Sequence, residues 1–291
     1  MRFPATSDAP GTDQDAASLV AVRLGLPSPV LVRRNVASLW RSGPVALRVD
    51  LANPGILVRR ARCAHALGVA TPGVLHDSAR AGRWWVSCWE WVDQCEGGVD
   101  YFALGGALRR LHAGDPGDFA AKALALTFTS ARTRGRLALL DSFVGTRAAD
   151  ALRAELDSAA RTLTIAAASS PSVLLHGDLH AGNVMTTTAG PLLIDFELTC
   201  AGPAWWDLVP TATAVARFGA PASSLTALLA GARMADPRGR PAFAGLQRLR
   251  DASLAVGSVA RALRTGDPLM AAQAETRLAT WQDPGAPWLA H

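Results

Sequence analysis

Two short stretches carry the residues best suited to chemistry: 173–183 (VLLHGDLHAGN) and 192–197 (LLIDFE). Each begins as a short apolar run, the mark of a buried strand, and ends in polar residues that emerge where the strand stops. The first supplies His176, Asp178 and, five residues beyond the aspartate, Asn183; the second supplies Asp195 directly after Ile194. Phosphoryl transfer asks little covalent chemistry of a protein. It needs a carboxylate beside the attacking hydroxyl and oxygen ligands for a metal that neutralises phosphate charge. Asp178 meets the first need: it would accept a hydrogen bond from a substrate hydroxyl and take its proton late. Asn183 and Asp195 meet the second, as ligands for Mg²⁺, an ion that keeps several waters while bridging nucleotide phosphates. Gly177 and Gly182 give the loop between them the backbone freedom to bring the amide back.

The same stretch has a second reading, as a metal site. His176 and His180 are four apart with Asp178 between them, a spacing that could suggest zinc. It shares a face only on a helix, and the Val173-Leu-Leu lead-in with Gly177 reads as strand and loop. His176 reads as a structural hydrogen-bonder, because the aspartate already serves the proton. Glu197 has two readings, a third metal-site carboxylate or a solvated turn residue, and the second is the plainer.

The elements that must position these residues follow from periodicity. Residues 1–15 are rich in Pro, Gly, Asp, Ser and Thr and read as a mobile tail. Ala16 to Leu24 has helical spacing. Val30 to Val32, Asn35 to Trp40 and Val45 to Val49 read as antiparallel strands with turns at Arg33-Arg34 and Ser42 to Pro44. Leu57 to Leu67 reads as a helix ended by Gly68, and Val74-Leu75 and Trp84 to Trp89 continue the strands. After Val92 helices dominate, notably Tyr101 to His112 and Asp150 to Ala167. Leu246, Leu249, Val256 and Leu263 form one apolar stripe, a core-facing helix. The fold class is therefore α+β: a β-rich N-lobe at 16–92 and a larger helical C-lobe at 93–291.

Composition narrows the class. The chain has 291 residues, 49% hydrophobic and 18% charged, which suits a folded protein with a sizeable core. Its net charge is +5 and its four cysteines contain no CxxC pair, so metal knuckles and thioredoxin chemistry are not expected. Lys122 is the only lysine. No long basic run or basic-aromatic stripe accompanies the charge, so nucleic acid is not an expected partner. No apolar run approaches membrane-spanning length, so no membrane partner is expected and a reducing cytoplasm is the default location.

His176-x-Asp178-x4-Asn183 followed by Ile194-Asp195-Phe196 resembles the aminoglycoside phosphotransferase and choline kinase-like group of the protein-kinase superfamily. Similar features extend the resemblance from about Val30 to Leu208. It implies a two-lobed protein-kinase-like fold and a kinase that uses ATP or GTP with Mg²⁺. Val45 to Arg48 resembles the strand that carries the phosphate-binding cation, and Leu104 to His112 the family's "aLxxLH" helix. Gly202 to Leu208 resembles the segment whose aspartate, here Asp207, braces the catalytic loop. The resemblance further implies that Ser38 and nearby amides cover the nucleotide's β-phosphate. It implies that the Glu90 carbonyl and Val92 amide present backbone groups to the base.

Two departures stand out. The family commonly has lysine where Arg48 stands, and the helix at 57–67 lacks the glutamate that would pair with it. No acid lies between Asp50 and Asp77. Either Arg48 needs no orienting carboxylate, or the phosphates are held differently. The resemblance implies a small hydroxylated acceptor: an antibiotic such as an aminoglycoside, or an amino-sugar or amino-alcohol metabolite. The alternative is a catalytically weak or inactive kinase-like nucleotide-binding module. A polycationic acceptor calls for an acidic pocket, yet Asp100, Asp141, Asp236 and Asp267 are scattered among arginines. A monomer or homodimer is expected.

Overall fold

The computed structural model describes residues 10–34, 36–117, 124–128, 131–143 and 146–289. Lys122, Asn35 and most of the expected tail lie outside them. In chain order the first elements are α1 (Asp13–Arg23), β1 (Val30–Arg34), β2 (Ser38–Ser42), β3 (Val45–Asp50), α2 (Gly55–Ala66), β4 (Val74–Ala81) and β5 (Trp84–Glu90). Helices α3 (Tyr101–His112), α4 (Leu124–Phe128), α5 (Ala131–Ala138), α6 (Leu140–Phe143), α7 (Thr146–Asp157) and α8 (Ala159–Ser169) follow. Four short strands come next: β6 (Ser172–Leu175), β7 (Val184–Thr187), β8 (Gly190–Leu193) and β9 (Cys200–Pro203). The chain ends in α9 (Val209–Arg217), α10 (Ala222–Ala232), α11 (Pro241–Thr265) and α12 (Pro268–Thr280). Two compact units result. The first holds Met1–Asp100 and Gly182–Glu197; the second holds Tyr101–Ala181 and Leu198–His291.

In the first unit an antiparallel sheet runs in the order β1-β2-β3-β5-β4. Leu47 and Val49 of β3 are buried and pack with Trp40, Val86, Cys88 and the Ala16, Ala17, Val20 and Ala21 face of α1. Helix α1 begins three residues ahead of the expected Ala16, because Thr12 and Asp15 form a reciprocal capping box at its start. The turn expected at Arg33-Arg34 is instead strand: Arg34 pairs with Ser38. Strand β4 outruns its apolar start at Val74-Leu75 because a bulged register carries it on to pair Ala81 with Trp84. A second hairpin, β7–β8, belongs to this unit. The Leu193 amide donates to the Ala70 carbonyl (2.8 Å) and the Cys95 amide to that of Thr186 (2.8 Å).

The second unit is helical around β6 paired antiparallel with β9. Helices α3 and α10 meet through glycine. A Cβ on Gly231 would lie 1.9 Å from the Phe102 carbonyl oxygen, so no larger residue permits this approach. Leu246, Leu249 and Val256 of α11 are buried, but Leu263 is exposed. The expected single helix at 150–167 is two, α7 and α8, parted at Ser158. The Arg217 guanidinium, 1% exposed, donates to Asp251 and to the Trp281 and Ala286 carbonyls, tying the C-terminal segment to α11. Among the described residues no helix is long and apolar enough to cross a membrane.

Candidate active site

In the second unit β6 ends at Leu175 and delivers His176, Gly177 and Asp178 into a loop. Asp207, fully buried, holds that loop in place. Its carboxylate accepts from the backbone N–H of His176 (2.9 Å) and of Gly177 (2.9 Å). His112, the last residue of α3, lies 3.1 Å from the same carboxylate. The Trp206 indole donates to the Gly177 carbonyl at 2.8 Å. Gly177 has φ +87°, and a Cβ there would meet the Leu198 carbonyl oxygen at 2.1 Å. Asparagine, alanine or any other residue would force the loop away from this path. His176 is fully buried, and its Nδ1 accepts from the Asp178 amide at 3.4 Å.

Asp178 lies beside an arginine and a histidine. Arg250 of α11 places Nη1 2.8 Å from Oδ1, and His180 Nε2 stands 3.7 Å from Oδ2. Burial pushes this carboxyl up, but Arg250, with His180 and His176, outweighs burial and holds it below its ordinary value. Asp178 is thus an ionised carboxylate at neutral pH, ready to accept a hydrogen bond. Nothing local in the sequence marks Arg250 for this position.

Asn183 and Asp195 belong to the first unit, and the β7–β8 hairpin explains how they come together. Val184 pairs with Leu193 at its open end, and the Ile194 amide donates to the Asn183 carbonyl at 3.0 Å. The residue before β7 and the second residue after β8 therefore sit at the same end. Asp195 has φ 65°, left-handed backbone rare outside glycine. Such strain persists where surrounding structure enforces it, often at functional positions. A buried amide and a carboxylate at adjoining hairpin ends are hard oxygen donors, which fit Mg²⁺ and not a nitrogen- and sulfur-seeking ion. Among the described residues no group of three His, Cys, Asp or Glu could hold a metal by itself, so phosphate and water oxygens would complete the shell.

Arg48 lies on β3, opposite Leu39 and Ser87. Its Nε donates to Asp50 at 3.0 Å, and its Nη2 is paired with the Glu197 carboxylate. Burial alone would lower its pKa; Asp50, Glu197 and Asp195 reverse that and raise it. So the orienting carboxylates absent from α2 come from the strand itself and from two residues past Asp195. Helix α2 supplies a cation instead. Arg60, 2% exposed, donates to the backbone carbonyls of Phe196 and Glu197. Of these partners only Asp50 had a local signal, since residues two apart on a strand share a face.

The remaining candidates sit on the same sheet. Ser38 is buried at the start of β2, and its hydroxyl accepts from the Trp40 indole (2.9 Å) and bonds to Asp13. That hydroxyl is engaged inside the unit, which leaves neighbouring backbone amides as the groups a phosphate could meet. Glu90 ends β5, its amide donating to the Gly73 carbonyl at 2.7 Å. Val92 follows in extended, irregular chain.

Comparison with known proteins places the fold and the family. A search of curated proteins by sequence found no match. Solved structures are similar in fold across most of the chain. An amicoumacin kinase in complex with AMP-PNP, Ca²⁺ and Ami is 13% identical with a TM-score of 0.66, over 91% of this chain and 92% of that one. A choline/ethanolamine kinase family protein from Mesorhizobium loti is 18% identical with a TM-score of 0.62, over 88% and 87%. A spectinomycin phosphotransferase in complex with ADP and spectinomycin is 12% identical with a TM-score of 0.61, over 93% and 98%. These likenesses show a kinase-like phosphotransferase fold. The sequence profile of the phosphotransferase enzyme family matches residues 58–246, and the chain belongs to that family.

Proposed function

We propose that the protein is a small-molecule kinase, moving the γ-phosphoryl group of ATP or GTP to a hydroxyl of its acceptor. The observation that carries this reading is the Asp178 loop: an ionised carboxylate on a backbone fixed by a buried aspartate, Asp207, through the His176 and Gly177 amides. Asp178 accepts the acceptor's hydroxyl hydrogen bond. As that oxygen bonds to the γ-phosphorus, the bond from phosphorus to the bridging oxygen breaks, the nucleoside diphosphate leaves, and the proton passes to Asp178 and on to water. His176 and Asp207 hold the loop and touch no reacting atom.

Asn183 and Asp195 would hold Mg²⁺, which supplies charge neutralisation on the nucleotide phosphates. Arg48, kept charged by Asp50 and Glu197, grips phosphate oxygens. A forked guanidinium does this in pairs where lysine would make single contacts. Backbone amides near Ser38 cover the phosphates, and the Glu90 carbonyl and Val92 amide meet the base. The nucleotides and the divalent ion named in the related complexes support these assignments. A reducing, cytoplasmic location is part of the same proposal.

The test is turnover of ATP and of GTP with Mg²⁺ over a panel of hydroxylated antibiotics and metabolites, with the phosphoester product identified by mass spectrometry. A phosphorylated acceptor supports the kinase. Binding of Mg·ATP with neither transfer nor background hydrolysis would instead support a nucleotide-binding module.

A further inference from the structure

One cation in the second unit lies directly against the candidate base. Arg250 sits on α11 with its backbone position fixed on both sides. Leu249 is fully buried, and Asp251 is held by Arg217 at 2.7 Å. From there its Nη1 reaches to 2.8 Å from Asp178 Oδ1, and its side chain is only 14% exposed. A permanent cation at that distance makes Asp178 a weaker proton acceptor. Keeping the carboxylate ionised accounts for one of the guanidinium's nitrogens and leaves its remaining donors unassigned.

A second observation suggests what the guanidinium is for. The Arg250 Nε–H is buried without a hydrogen-bond partner. An unmet buried donor costs free energy until an acceptor oxygen meets it. Several acids of the second unit already have partners within it. Asp236 is taken by Arg238, Asp251 by Arg217 and Asp207 by His112 and two amides. Asp267 accepts from the Leu269 amide as the cap of α12. His180, 3.7 Å from Asp178, adds a second donor beside the first.

We propose that Arg250 reads the acceptor substrate. It donates to an oxygen next to the reacting hydroxyl, either a neighbouring hydroxyl or a carboxylate, and repels an ammonium group from that position. The acceptors are then neutral polyols or hydroxy acids and not polyamines. This rests on the phosphotransferase reading and names its acceptor class.

The experiment measures kcat/KM with Mg·ATP for spectinomycin and choline (cationic), ribitol and inositol (neutral), and gluconate and glycerate (anionic). It uses wild type, Arg250→Gln and Arg250→Lys. Wild type is expected to favour an oxygen-rich neutral or anionic acceptor over both cations by at least about tenfold, the scale of a hydrogen-bonded discrimination. Arg250→Gln should shrink that ratio, and Arg250→Lys should keep it for the anions. Which of the neutral and anionic arms loses more identifies the oxygen read. Wild-type preference for spectinomycin or choline overturns the inference, as does an Arg250→Gln loss equal for all six acceptors. Should Arg250→Gln lose its helical circular dichroism, the wild-type and Arg250→Lys rankings decide the question. Transfer to none of the six, without background hydrolysis, overturns the phosphotransferase reading itself and the inference with it.

Discussion

Arg48 and Glu197 stand 149 positions apart in the chain, and their side chains form an ion pair. Glu197 is the second residue after Asp195, so the segment that bears the candidate metal ligand also orients the candidate phosphate cation. Arg60 reinforces this from α2 by donating to the carbonyls of Phe196 and Glu197. Here the sheet cation is tied to the metal-ligand segment, and the helix contributes positive charge where an acid was expected.

If Glu197 orients Arg48, removing its charge should loosen nucleotide binding without unfolding the protein. Glu197→Gln is expected to raise KM for ATP several-fold. Arg48→Ala should cost about 1–3 kcal/mol of nucleotide binding or turnover. The double variant should be no worse than Arg48→Ala, since the two act as a unit. Steady-state kinetics of the three variants check this, and additive losses would show that the pair is not coupled.

Asp207 has no exposure and three partners. An amide in its place offers one acceptor oxygen and sets an NH₂ against a backbone N–H. Asp207→Asn should lose about 3–5 kcal/mol of stability, the range for breaking a buried charged pair. The readout is the urea unfolding midpoint, and an unchanged midpoint would remove Asp207 as the loop's support.

Gly177→Ala places a methyl 2.1 Å from the Leu198 carbonyl oxygen at φ +87°. Loss of at least about 2 kcal/mol is expected from strain and clash together. Thermal unfolding with activity measured well below the midpoint should show both reduced.

Acid should reach Asp178 late. Burial raises its carboxyl, but Arg250, His180 and His176 together hold it below the ordinary aspartate value. A depressed carboxylate contributes its stabilisation above its unfolded value and loses it as pH falls through the folded one. The limb of kcat due to Asp178 should therefore lie below about pH 4, the ordinary carboxylate range. In Arg250→Gln burial is left with less opposition, so that limb should move upward. Coincident wild-type and variant profiles would contradict the pairing.

Much of this was legible in the sequence where the signal is local. The 101–112 helix needs only its own apolar period, and the loop around Asp178 announces itself by residue types at fixed spacing. The single helix expected at 150–167 failed because Ser158, small and polar, tolerates a break that periodicity does not register. Leu263 left the α11 stripe because a seven-residue repeat drifts by about 20° per heptad on a straight helix, turning the last member outward. Glu197 and Arg250 were invisible as partners. Each acquires its role only when distant segments fold against Arg48 and Asp178, and nothing near them in sequence encodes that meeting.

The central claim is that Asp178 accepts the proton of the attacking hydroxyl while the nucleotide is held elsewhere. Its most direct test is the rate of phosphoryl transfer by Asp178→Asn in a single turnover with Mg·ATP and a confirmed acceptor, beside the nucleotide's Kd. The account predicts a fall of about 10²–10⁴-fold in transfer, the range of general-base catalysis, with Kd unchanged. Transfer at the wild-type rate would contradict it.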